Sequence, residues 1–207
     1  MAPPLSDAVA VDLLRRVDRL VTPLADGLGR APGPPRTGGD RWWTHRIPLV
    51  AAGASALPRV VGKLADLLPL QNALGAAVQS VVVLGVAGEH GVRAPAERVA
   101  LLARVLLGRE LTPSQVEPLL EHARGTYRDD AFGPRGQHVV KRLWRTARLL
   151  SRVDETLDAR PKGHLGARAL ASLPVVGLAG GYLSERIALR KAAARAAEEL
   201  RQRRLAA

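Results

Sequence analysis

The longest uncharged stretch of this chain constrains its fold more than any other feature. No charged residue occurs between Asp66 and Glu89, and most of the residues between them are Leu, Ala and Val. Alanine and leucine favour helices, and a helix of about 20 apolar residues can cross the hydrocarbon core of a bilayer. Five polar or helix-breaking residues interrupt the stretch: Pro69, Gln71, Asn72, Gln79 and Ser80. Two interpretations therefore stay open, a helix that contacts a bilayer and a central helix buried by its own domain.

Three polar residues of this apolar region are candidates for a specific role. Asp66 is interpreted as a helix-start carboxylate, which stabilises the positive end of the helix dipole. The alternative for Asp66 is a functional acid within a membrane or a pocket. Gln71 and Gln79 are two turns apart and share one helix face approximately. We expect these two amides to hydrogen-bond across helices rather than to contact a substrate.

The composition predicts an all-α protein. Apolar residues make up 47% of the 207 residues, which excludes a disordered chain. Aromatic residues make up only 3%, whereas strand-rich domains depend on aromatic and β-branched residues. A second uncharged stretch, 169–184, is too short to span a bilayer comfortably and is typical of a re-entrant, interfacial or buried hairpin helix. We predict a multi-helix domain built around paired apolar helical hairpins, formed by segments 47–88 and 165–184.

The chain divides into three predicted regions. Residues 1–28 form an amphipathic helix that Ser6 can cap, with Leu and Val at helical spacing opposite Arg and Asp. Residues 29–40 are rich in Pro and Gly and predict a flexible linker. Residues 41–207 form the helical domain that contains both apolar segments. The first helix is therefore predicted to be a separable arm.

Helix boundaries in the middle of the chain have specific local signals. Gly91 is placed to end the long apolar helix at its C′ position. Pro95 begins the next helix, which Gly108 ends. Thr112 and Gln115 belong to a Thr-Pro-Ser-Gln sequence, the pattern of a capping box. These positions predict two shorter helices between the apolar helix and the basic part of the chain.

The positive charge of the chain is concentrated in its last third. The net charge is +12, and residues 135–207 hold sixteen basic and six acidic side chains. Two predicted amphipathic helices, 137–159 and 185–207, carry most of these cations. Leu143 and Trp144 are predicted to lie on the apolar side of the first of them. The candidate residues for an acidic partner are Lys141, Arg142, Arg145, Arg148, Arg152, Arg186, Arg190 and Lys191.

A basic helix face of this kind is typical of proteins that bind anionic lipid or a membrane surface, and it also suits an acidic protein. Nucleic acid is disfavoured, because base stacking needs aromatic side chains and only Trp144 is near these cations. The alternative is a solvated cationic face without a partner, produced by arginine enrichment alone.

The sequence Arg41-Trp42-Trp43-Thr44-His45-Arg46 places two adjacent indoles beside cations, just before an apolar run. Indole rings favour membrane interfaces, because the ring is apolar while its N–H needs a partner. Trp42, Trp43 and Arg46 are therefore candidate membrane-interface residues. The alternative is that one indole belongs to the core and the other forms a partly exposed lid.

The sequence contains no signature of catalysis or of a cofactor. The absence of cysteine excludes disulfides, cysteine zinc sites and thiol chemistry. No phosphate-binding loop, dinucleotide fingerprint or G-x-S-x-G motif is present, and the five histidines lack the spacing of a metal site on a helix. We therefore predict no catalytic, cofactor-binding or metal-binding residue. The start of the chain does not resemble a signal peptide, so the expected location is the cytoplasmic side.

The order of these apolar segments resembles the EcsC family and related bacterial proteins, over about residues 50–200. The resemblance is carried by Asp66, Pro69 and Gln71 before an Ala/Val-rich helix that ends at Gly91. A Pro95-Ala-Glu-Arg helix follows, and then Leu173-Pro-Val-Val-Gly177 with Gly180-Gly181 before a charged helix. Glu89-His90 stands where that pattern has a tyrosine. The resemblance implies a bacterial, membrane-associated helical protein without an assigned activity, and it transfers no catalytic residue.

The functional expectation is a membrane-associated helical protein of unassigned activity. The apolar hairpins and basic helices would bind the cytoplasmic face of the cell membrane. The alternative expectation is a soluble, cytoplasmic scaffold or interaction protein whose apolar helices are buried in its own core.

Overall fold

The computed structural model describes residues 5–29, 42–43, 68–124, 139–151 and 176–206. In these ranges the chain forms six helices and no strand. They are α1 Asp7–Gly29, α2 Leu68–Glu89, α3 Pro95–Leu107, α4 Pro113–Arg124, α5 Val139–Leu150 and α6 Val176–Ala206. The predicted all-α fold class is thereby confirmed. The pairing of apolar hairpins involves residues 47–67 and 165–175, which lie outside the described residues.

The long apolar helix α2 lies at the centre of the domain. It packs against α1, α3, α5 and α6. Its described side chains are buried from Ala73 to Ala87, and Val82 and Val83 have no exposed surface. The uncharged stretch between Asp66 and Glu89 thus corresponds to a helix that is surrounded by other helices of the same domain.

Helix α1 belongs to the same hydrophobic core. It packs against α2, α3, α4 and α5, and its apolar face is fully buried at Val11, Leu14, Val17 and Val21. The sequence predicts a separable arm over residues 1–28, and the structure differs on this point. A helix with so wide an apolar face gains free energy by burying it, at about 25 cal/mol per Å², and α2 provides the complementary surface. Residues 30–40 of the predicted linker are not among the described residues.

The local helix-ending signals act as predicted. Gly91 and Gly108 have φ angles of 76° and 65°, a left-handed conformation that glycine adopts without steric cost. Pro95 is the first residue of α3. Before α4, the Thr112 N–H donates to Gln115 Oε1 at 2.9 Å and the Gln115 N–H donates to Thr112 Oγ1 at 3.3 Å. The capping box predicted from the sequence is therefore present.

The C-terminal helix α6 is continuous from Val176 to Ala206. The sequence instead predicts two helices here, an apolar hairpin helix that ends at Ser184 and a polar helix that follows it. Glycines at 180 and 181 each cost about 1 kcal/mol relative to alanine in a helix, and this is too little to end it. The helix is held by an alanine seam against the core, formed by Ala192, Ala193, Ala196 and Ala197. Helix α5 is described from Val139 to Leu150, and residues 137–138 and 152–159 of the predicted helix lie outside the described part.

Candidate functional site

The two adjacent tryptophans occupy different environments. Trp43 is 1% exposed, whereas Trp42 is half-buried and meets the Trp43 ring edge-on, with 5.2 Å between ring centroids. The backbone of α2 lies directly against the Trp43 indole at Gly85, where a Cβ atom would overlap the ring. Trp43 thus lies in the core and Trp42 lies at its edge, the second of the two arrangements considered from the sequence. Arg46 is outside the described residues.

A cavity of about 280 Å³ opens beside Trp43. It lies where the last turns of α1 and α2 meet, with Arg93 from the segment that follows α2. Its walls are formed by Ala25, Asp26, Gly29, Trp43, Leu84, Gly85, Gly88, Glu89 and Arg93. The cavity therefore combines an aromatic wall, a small apolar surface, two carboxylates and one guanidinium. No sequence motif indicated it, because its parts are separated along the chain.

The outer face of α5 combines an exposed indole with cations. Trp144 is 48% exposed, and Arg148, one turn later, is exposed as well. The sequence places Trp144 on the apolar side of this helix, and the structure corrects that placement. The buried side of α5 is centred on Ala147 and Leu150, and at 100° per residue Trp144 falls outside this narrow stripe.

The remaining candidate cations of α5 do not all face outward. Arg145 is half-buried. Arg142 is half-buried too, and its Nη1 donates to the Leu20 carbonyl oxygen of α1 at 3.5 Å. The side chain of Lys141 and the whole of Arg152 are not among the described parts. The exposed cationic surface on α5 therefore centres on Arg148 with Trp144.

The candidate cations of α6 are also divided. Arg186 and Arg190 are one turn apart and half-buried, whereas Lys191 is exposed. Further along this helix, Glu199 forms ion pairs with Arg104 of α3 at 3.5 Å and with Arg203 at 3.2 Å. Arg104 and Arg203, which are not among the candidate residues for an acidic partner, are thus paired inside the domain.

A buried ion-pair network joins α1 to α3, and sequence reasoning missed it. Asp18 is 1% exposed. Its carboxylate accepts from Arg98 Nε at 2.6 Å and Nη2 at 3.1 Å, from Arg15 Nη1 at 2.9 Å and from the Thr22 hydroxyl at 2.9 Å. Burial, more than any neighbouring charge, lowers the pKa of the Arg15 guanidinium. Asp18 and Arg98 are 80 residues apart, so no local pattern connects them.

Two polar side chains of α2, those of Gln79 and Ser80, are described by the structure, and both are buried in the interior of the domain. Gln79 is fully buried, and the Ser80 hydroxyl donates to the Ala76 carbonyl oxygen at 2.8 Å within α2. Asp66 precedes the helix and is outside the described residues, as is the side chain of Gln71. Among the described helices, none has the length and hydropathy needed to cross a membrane. No group of three potential metal ligands occurs in the same part of the chain.

Comparison of the chain with protein-family models, with curated proteins and with solved structures finds no match.

Proposed function

We propose that this protein binds an anionic membrane surface peripherally, through the outer face of α5. The observation that carries the proposal is the exposed Trp144 one turn from the exposed Arg148. An exposed indole suits the interfacial region of a bilayer, where its ring contacts acyl chains and its N–H contacts water or headgroups. A cation beside an acidic lipid surface contributes about 1 kcal/mol.

The charge of the chain supports an acidic partner. Helix α5 contains no Asp or Glu in the sequence Val-Val-Lys-Arg-Leu-Trp-Arg-Thr-Ala-Arg-Leu-Leu, and the whole chain has a net charge of +12. Anionic lipid on the cytoplasmic face of the cell membrane is the partner we propose, and an acidic protein would use the same cations. The resemblance to the EcsC family agrees with a membrane-associated role and is part of this proposal. No catalytic activity is proposed.

Insertion of α2 into the bilayer is not required for this mode of binding. The described side chains of α2 pack against four other helices, and exposing them to lipid would separate the core. The burial of α2 also favours a second candidate function, a soluble helical interaction protein with α2 as its central core helix. In that case the basic face of α5 would bind an acidic protein and would not bind lipid vesicles.

Co-sedimentation of the full-length protein with vesicles tests the proposal. We expect binding to vesicles of phosphatidylglycerol mixed with phosphatidylcholine, and weaker binding when salt shortens the Debye length from about 10 Å to about 3 Å. Replacing Arg148 by Gln should weaken binding about fivefold, from about 1 kcal/mol lost for one exposed cation. Trp144→Ala should weaken it by a comparable factor, because the apolar anchor is lost.

Arg201→Gln provides the matched control. Arg201 is an exposed arginine of α6, 3.6 Å from Glu198, so its replacement removes one positive charge from a different helix. Binding of this variant should remain within about twofold of the wild type. Equal weakening by Arg201→Gln and by Arg148→Gln would indicate attraction by net charge alone. Absence of vesicle binding at low salt would favour the interaction-protein alternative.

A further inference from the structure

We draw no further inference here: the strongest candidate, the pair of half-buried arginines Arg186 and Arg190 one turn apart on α6, carries no anion site, because the Nε atom of each is closed to any ligand and Arg190 already has a partner.

Discussion

Helices α1 and α5 have similar amphipathic patterns but use their charged residues differently. On α1, Asp18 pairs with Arg15 and with Arg98 of α3, and Asp12 pairs with Arg16. Helix α5 contains no acid. In the first helix, cations pair with carboxylates of the same helix, whereas α5 supplies no carboxylate of its own and presents the exposed Arg148 on its outer face. An amphipathic pattern therefore does not by itself indicate whether a charged face pairs with residues of the same protein or is exposed to another molecule.

Trp43 and Trp144 also differ in whether they face the core or the solvent. Trp43 lies against the backbone of α2, beside the last turn of α1, whereas Trp144 lies on the outer face of α5. From the sequence, the Trp42–Trp43 pair is a candidate for an interface, with a core indole and a partly exposed lid as the alternative, and Trp144 is predicted to lie on an apolar face. The difference arises because burial depends on which surface packs against the indole, and Gly85 provides such a surface for Trp43.

Replacing Trp43 and Trp144 in turn by alanine should give the largest difference in the free energy of unfolding between the core and the outer face of α5. Trp43→Ala should lower the free energy of unfolding by about 3 to 5 kcal/mol, because it leaves a cavity in the core. Trp144→Ala should change it by no more than about 0.5 kcal/mol, as at other surface positions. Urea denaturation followed by circular dichroism measures both. Similar losses for the two variants would contradict the contrast.

Removing a carboxylate from α1 should separate its buried ion pairs from a half-buried one formed within the helix. Asp18→Ala leaves the Arg98 guanidinium, 16% exposed, without its carboxylate, and breaking a buried pair costs about 3 kcal/mol or more. Asp12→Ala is the control, because Asp12 is 26% exposed in its pair with Arg16, and such pairs contribute about 0.5 kcal/mol. Thermal unfolding midpoints of the two variants should differ clearly, with Asp18→Ala the lower. A milder effect at Asp18 than at Asp12 would mean that the network does not hold α1 to α3.

Two glycines one turn apart on α2 test the fit of Trp43 more finely. Gly85→Ala places a Cβ atom into the indole, and such overpacking costs about 1 to 3 kcal/mol. Gly88→Ala meets open space and should be neutral or stabilise the helix by up to about 1 kcal/mol. Chemical denaturation gives the two free energies, and near-ultraviolet circular dichroism should show an altered indole environment only in Gly85→Ala. Equal stabilisation by both alanines would show that α2 does not contact the ring this closely.

Much of the secondary structure could be predicted from the sequence, because its signals are local. Gly91, Pro95, Gly108 and the Thr112–Gln115 box act through contacts within a few residues, and each occurs where predicted. The candidate site could not be predicted in the same way. Trp43 and Gly85 belong to different elements and meet only through packing, and no periodicity relates them.

The sequence by itself determined that the chain is helical, where several helices begin and end, that α2 carries no charge before Glu89, its last residue, and that α5 carries an excess of positive charge. These properties follow from backbone propensity, capping and residue type, which need no distant partner. Only the tertiary structure decided that α1 joins the core, that Asp18 pairs with Arg98, and that Trp43 is buried while Trp144 is exposed. Each of these depends on which surfaces exclude water from one another, and that is settled by contacts between residues far apart along the chain.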